Sequence, residues 1–152
     1  MKFRAYRRFT VLMAIAVLGG CHGAAALKNR ICFKNHCFDV EVVDKEETRN
    51  RGLQFRESMP ANHGMLFIFP DSGVRSFWMK DTKIPLDMIW IDYSHHIVYI
   101  ESNVPPCQAD PCPVYTPSGP AMYVLELNAG TVRKIGLQPG DTFEFQLQQY
   151  LK

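Results

Sequence analysis

The chain has 152 residues, 47 % hydrophobic and 21 % charged, which suits one domain able to bury a core of its own. Residues 1–20 hold four of the 17 Lys and Arg and none of the 15 Asp and Glu, so without them the formal +2 becomes −2. That balance excludes the basic patch that nucleic-acid binding requires.

Lys2, Arg4, Arg7 and Arg8 precede an apolar run from Phe9 to Leu18, followed by Gly19-Gly20-Cys21. A basic start, a short apolar run and small residues make a secretory signal, and the run is too short to span a bilayer. Leu18-Gly19-Gly20-Cys21 resembles the bacterial lipobox, which implies cleavage before a diacylated Cys21 and anchoring by lipid. The expected organisation is a signal peptide over 1–20, a tether over 21–29 and a domain over 30–152. By resemblance to such lipoproteins, His22 after the cysteine favours the periplasmic side of the outer membrane. The membrane is then a partner through Cys21.

Four further cysteines form two C-x4-C pairs, Cys32 with Cys37 and Cys107 with Cys112. In an exported chain an even count reads as disulfides, here two local bridges. A turn at Lys34-Asn35 sets Phe33 opposite His36 and brings Cys32 to face Cys37. The rival reading is a four-thiolate zinc site, which an oxidising compartment disfavours. His36 reads as a solvated hairpin residue, and no metal or cofactor is expected.

Phe38 to Val42 alternates apolar and acidic residues, the pattern of a half-buried strand. Asp44 with Glu47 matches a capping box opening a helix through Arg51, whose charges read as a solvated face. Gly52 interrupts this run and implies a close backbone contact. Arg56 follows, either capping carbonyls or reaching the Lys80-Asp81 cluster.

Gly64 to Pro70 is an apolar strand buried on both faces, and Asp71-Ser72-Gly73 reads as a turn. Phe77-Trp78-Met79 starts a second strand running into Lys80-Asp81-Thr82-Lys83. Pro85 interrupts before Leu86 to Asp92, a third strand, which returns as Ile97 to Ile100 through a tip at Ser94-His95-His96. Charges set between Trp78 and Met88 are unlike an ordinary solvent loop and mark a candidate site.

Asn103 to Pro120 holds six prolines and the second cysteine pair, the composition of a pre-formed wall, and Tyr115 lies within it. Ala121 to Leu127 is a long core strand on which Glu126 shares a face with Met122 and Val124. A buried carboxylate there needs a partner, with Lys80, Arg56 and Arg133 available. A single helical turn over Val132–Ile135 ends at Gly136, and Thr142 to Leu147 closes the sheet. The architecture expected is α+β, mostly β: a compact, rolled or barrel-like antiparallel sheet with one or two short helices.

From about Phe38 to Phe145 the chain resembles the DUF192 (UPF0127) family. The likeness is carried by Arg51-Gly52-Leu53, Gly64-Met65-Leu66-Phe67, Phe77-Trp78-Met79-Lys80, Ile84-Pro85-Leu86-Asp87 and Leu125-Glu126-Leu127-Asn128-Ala129-Gly130. Arg56, Thr82, Pro106-Cys107, Tyr115, Gly136 and Gly140-Asp141 add to it. Gln54 stands where the family usually has Met, and Asp81 where it usually has Asn. The resemblance implies a small, mostly β domain and no assigned biochemical role.

The residues favour a module binding a small polar or glycan ligand. Phe77, Trp78 and Tyr115 would supply flat walls, with Arg56, Lys80, Asp81, Asp87 and Glu126 as polar anchors. The alternatives are a structural adaptor, in which Lys80 and Asp87 pair to lock the fold, or an enzyme using Asp81, Asp87 or Glu126 as acid or base. No Ser-His-Asp order, His-Glu-x-x-His or phosphate loop supports catalysis, so no catalytic residue is assigned.

Overall fold

A computed structural model describes residues 29–146; the expected signal peptide over 1–20, Cys21 with the expected tether up to residue 28, and residues 147–152 lie outside it. Among the described residues the first hairpin joins β1 (Arg30–Phe33) to β2 (His36–Val43) with Cys32 opposite Cys37 and Phe33 opposite His36. Both expected disulfides are present, Cys32–Cys37 and Cys107–Cys112, so these thiols are not zinc ligands.

The chain then crosses through α1 (Glu46–Arg51) and enters β3 (His63–Gly73) parallel to β2. A strand–helix–strand connection returns the chain to the end it started from, which makes this pair parallel and the sheet mixed rather than wholly antiparallel. With β5 (Leu86–Ile91), β6 (Ile97–Val104), β8 (Ala121–Asn128) and β9 (Glu144–Gln146) the sheet has seven strands, in the order β6-β5-β8-β3-β2-β1-β9. It rolls until the residues before β6 and β9 meet. Phe143 N–H donates to His95 O at 3.1 Å and Ile97 N–H to Asp141 O at 2.8 Å, yet among the described residues these make only an isolated bridge, His96 with Thr142, and no continuous ladder. The roll is therefore not closed. His95 lies in this seam rather than at a free tip, its ring 4.3 Å from that of Phe145.

Strand alternation separates two cores. Leu66, Ile89, Leu125 and Leu127 face Phe33, Val132 and Phe143 on one side. On the other, Met65, Phe67, Met88 and Trp90 face Leu53, Met79 and Ile84. Between Met65 and Met88, in register with both, stands Glu126. Gly64 permits β3 and β8 to approach, since a Cβ there would lie 2.7 Å from the Glu126 carbonyl oxygen.

Three local expectations are corrected. Asp71-Ser72-Gly73 is not a turn but the end of β3, reached through an irregularity after Ile68, with Gly73 opposite Ala121. The helix N-cap is Lys45, without a side-chain cap, so Asp44 and Glu47 form no capping box. The strand expected from Phe77 is present but stops at Trp78, without running on through Met79 into Lys80-Asp81-Thr82-Lys83. It is β4, pairing only with β7 (Val114–Tyr115) in a separate ribbon laid against the second core.

A cleft over a buried carboxyl

The ribbon is fixed by its alternating side chains. Phe77 points inward, edge-on to Phe67 with centroids 4.9 Å apart and to Trp90 at 5.9 Å. The Trp90 indole N–H donates to Arg75 O at 2.6 Å, tying the approach to β4 onto β5. Neighbouring residues of a strand face opposite ways, so once Phe77 is buried Trp78 faces outward, and it is half exposed.

Between this ribbon, the second sheet face and α1 lies a cleft of about 300 Å³. Phe67, Phe69, Phe77 and Trp78 give it aromatic walls, and Arg49 and Arg51 of α1 stand with Lys80 along it. Asn50, Gln54, Ser76 and Thr82 add hydrogen-bonding groups. Glu126, 4 % exposed, opens into the same space. Among the described residues nothing hydrogen-bonds or ion-pairs with its carboxyl, and burial alone pushes its pKa up to about 8. The group is therefore a neutral acid at neutral pH, able both to donate and to accept a hydrogen bond.

The partners expected for Glu126 are engaged elsewhere or exposed. Lys80 Nζ pairs with Asp110 Oδ2 at 3.5 Å and stands 5.7 Å from the Trp78 ring centroid. The Arg56 side chain neither caps the helix nor pairs with Lys80 or Asp81. It donates from Nη1 and Nη2 to Glu41 Oε1 and Oε2 at 2.6 and 2.9 Å, a fork that fits a carboxylate. Arg133 is exposed on α2 (Thr131–Ile135).

Of the eight residues singled out from the sequence, Phe77, Trp78, Lys80 and Glu126 line the cleft. Arg56, Asp81, Asp87 and Tyr115 do not. Asp81 is exposed at φ 57°, and its carbonyl accepts from Phe55 N–H at 2.8 Å. Asp87 is fully buried and makes no pair with Lys80; its carboxylate accepts from the backbone N–H groups of Asn103, Gly130 and Val132. Tyr115 sits opposite Phe77 in the ribbon and packs on the core. Arg49 and Arg51 were hidden because their helix reads as a solvated face. A helix with no apolar stripe between two sheet strands was the available signal that it covers something polar. Arg49 Nη1 donates to Ile68 O at 3.0 Å, and its guanidinium lies 5.1 Å from the Phe69 centroid.

Cys107, Asp110 and Cys112 also cluster at metal-ligand distances, but the disulfide withholds both thiolates. Among the described residues no helix is long and apolar enough to cross a membrane.

A mixed, unclosed sheet with two short helices, carrying a side cleft with aromatic walls over a buried acid, defines a small, mostly β domain. Residues 29–145 match the family DUF192, described as Uncharacterized ACR, and the chain belongs to that family. It is similar to the UPF0127 protein of Thermococcus gammatolerans, 26 % identical over 115 residues that cover 72 % of this chain and 68 % of the relative. A UPF0127 protein of Thermococcus kodakarensis is 27 % identical over 107 residues, 67 % of this chain and 61 % of its own length. A solved structure from Sinorhizobium meliloti, provisionally described as a transcription regulator, superposes with a TM-score of 0.70 at 36 % identity, covering 78 % of this chain and 92 % of that one. A protein of unknown function from Novosphingobium aromaticivorans gives 0.69 at 28 % identity, covering 81 % and 89 %.

Proposed function

We propose that the chain is a lipid-anchored protein of the bacterial cell envelope, held through Cys21 and facing the periplasm from the outer membrane, and that its cleft binds a small polar or glycan ligand. The carrying observation is Glu126. A Met at this position would continue the row of Met65 and Met88, whereas an unpartnered buried carboxyl costs stability. Such a group, opening into a cleft with aromatic walls, is what a polar ligand would satisfy.

Binding accounts for the cleft better than catalysis does. Glu126 is the sole carboxyl among the lining residues, so an acid acting there lacks a second carboxylate as base or nucleophile. A purely structural adaptor leaves the carboxyl and the half-exposed indole without a purpose.

A thermal-shift panel of sugars and cell-wall fragments on the mature chain carrying Cys21→Ser tests the reading, since a ligand that binds only the folded state raises its melting temperature. A stabilising compound should lose its effect with Trp78→Ala. No shift from any member of the panel sinks the binding reading. The anchor is tested separately: Cys21→Ser should move the full chain from the membrane to the soluble fraction.

A further inference from the structure

Resting on that reading, we infer that the ligand is a carboxylated monosaccharide, a uronate. Its ring lies along Trp78, its carboxylate turns towards Arg51 and Lys80, and a ring hydroxyl hydrogen-bonds to the Glu126 carboxyl.

Charge selects the anion. Arg49, Arg51 and Lys80 line the cleft, and no acid other than Glu126 does. Arg49 is held by the Asp44 and Ile68 carbonyls. Lys80 stands over the Trp78 ring, and its one ion pair, with the exposed Asp110, is one that an incoming carboxylate can displace at little cost. Arg51 is exposed and its side chain makes no hydrogen bond or ion pair among the described residues, so its fork is open to a carboxylate.

Size and polarity select the sugar. About 300 Å³ is at the lower limit of ligand clefts, room for one ring rather than a chain of them. An aromatic acid would match the walls but make no use of Asn50, Gln54, Ser76 and Thr82, whose bonds within the protein leave hydrogen-bonding capacity that sugar hydroxyls can meet. The electron-rich indole face also favours the slightly positive ring C–H groups.

Proton coupling follows from what surrounds Glu126. Its strand neighbours β3 and β5 present Met65 and Met88. α1 presents Arg49 and Arg51, and the segment after β4 presents Lys80 and Thr82. Beyond Met65, Glu41 is neutralised by Arg56. Ionising Glu126 would remove its donor proton and set a negative charge beside the bound carboxylate. Affinity should therefore fall as the solution becomes alkaline and Glu126 loses its proton.

Calorimetric titration of D-glucuronate and D-galacturonate against D-glucose, D-galactose and benzoate tests this. The wild-type chain should bind a uronate at least about tenfold more tightly than its parent hexose or benzoate, the order of one good charge-assisted pair. Arg51→Ala, at an exposed helix position that leaves the core untouched, should erase most of that preference. Between about pH 7 and 9 wild-type affinity should fall roughly tenfold, following the protonated fraction of Glu126, and Glu126→Gln should bind with no such fall. Equal affinity for hexose and uronate overturns the uronate assignment while leaving a binding module in place. Equal affinity for benzoate overturns the sugar. An alkaline fall that persists in Glu126→Gln overturns the role of that carboxyl. No heat from either uronate overturns the inference, and the broader reading falls only if the thermal-shift panel is also silent.

Discussion

The Asp87 carboxylate accepts a 2.8 Å hydrogen bond from the backbone N–H of Val132, 45 residues further along the chain. The same side chain takes the N–H of Asn103 at 2.8 Å and that of Gly130 at 3.2 Å. One buried charge thus ties the end of β6 and the start of α2 to β5, with three donors satisfying it.

Removing that carboxylate should be severe. Asp87→Ala leaves three backbone donors without their partner in a site where the carboxylate is 0 % exposed. Hydrogen bonds to a buried charge are worth about 1.5–3 kcal/mol each, though not additively, so a loss of about 4 kcal/mol is expected. Urea unfolding measures it. A loss under about 1 kcal/mol would contradict the clamp.

Glu126 should give the fold a pH dependence of the opposite kind to ordinary acid denaturation. Its pKa is raised from 4.5 to about 8, so the folded state binds the extra proton between those values. The resulting stability is full below about pH 4.5 and is lost as pH rises through 8, by an amount on the order of a few kcal/mol. Glu126→Gln should match the wild type near pH 5 and melt several degrees higher near pH 9. Parallel melting curves across that range would refute the assignment. On the acid side His95 acts with the other sign: burial lowers its pKa, against the opposing pull of Asp92, so its contribution is present above the usual histidine value and lost as pH falls.

Gly64→Ala tests the approach of β3 to β8. The added methyl would sit 2.7 Å from both the Glu126 carbonyl oxygen and Leu127 Cδ2, and the carbonyl cannot move without breaking the ladder. A cost of about 3 kcal/mol is expected, as for an overpacked core. Gly119→Ala, with nothing within 4 Å, should be close to neutral in the same assay.

Replacing Cys107 and Cys112 together by Ser should cost about 2 kcal/mol, the chain-entropy value for so short a loop. The loop carries Asp110, so its release should also free Lys80 and weaken any binding that needs Lys80 in place. Unfolding midpoints and ligand titration of the same double variant separate the two effects.

Local chemistry was legible from the residues: both disulfides, the Cys32–Cys37 register, the β5–β6 hairpin and the helical turn before Gly136 all follow from short-range patterns. Gly52 was legible as a point of contact but not its partner. It adopts φ 46°, and a Cβ there would lie 3.2 Å from Cζ of Phe67, a residue of β3. The parallel pairing of β2 with β3 was not legible, because crossover direction is a property of the whole sheet. Glu126 was placed on the buried face by alternation, yet its lack of a partner depended on where Lys80, Arg56 and Arg133 went. Asp87 misled because alternating charge near Lys80 resembles an ion pair, whereas its donors are backbone groups that carry no signature.

Two walls of the cleft, α1 and the β4–β7 ribbon, hang on connections between sheet strands and are not part of the seven-stranded ladder. Substitutions there can alter which molecules fit while every rung beneath keeps its register. The carboxyl at the base has no such freedom, because it projects from the middle of a strand paired on both sides. Diversification of this architecture should accordingly proceed rim first, with recognition rewritten above an acid that stays in place.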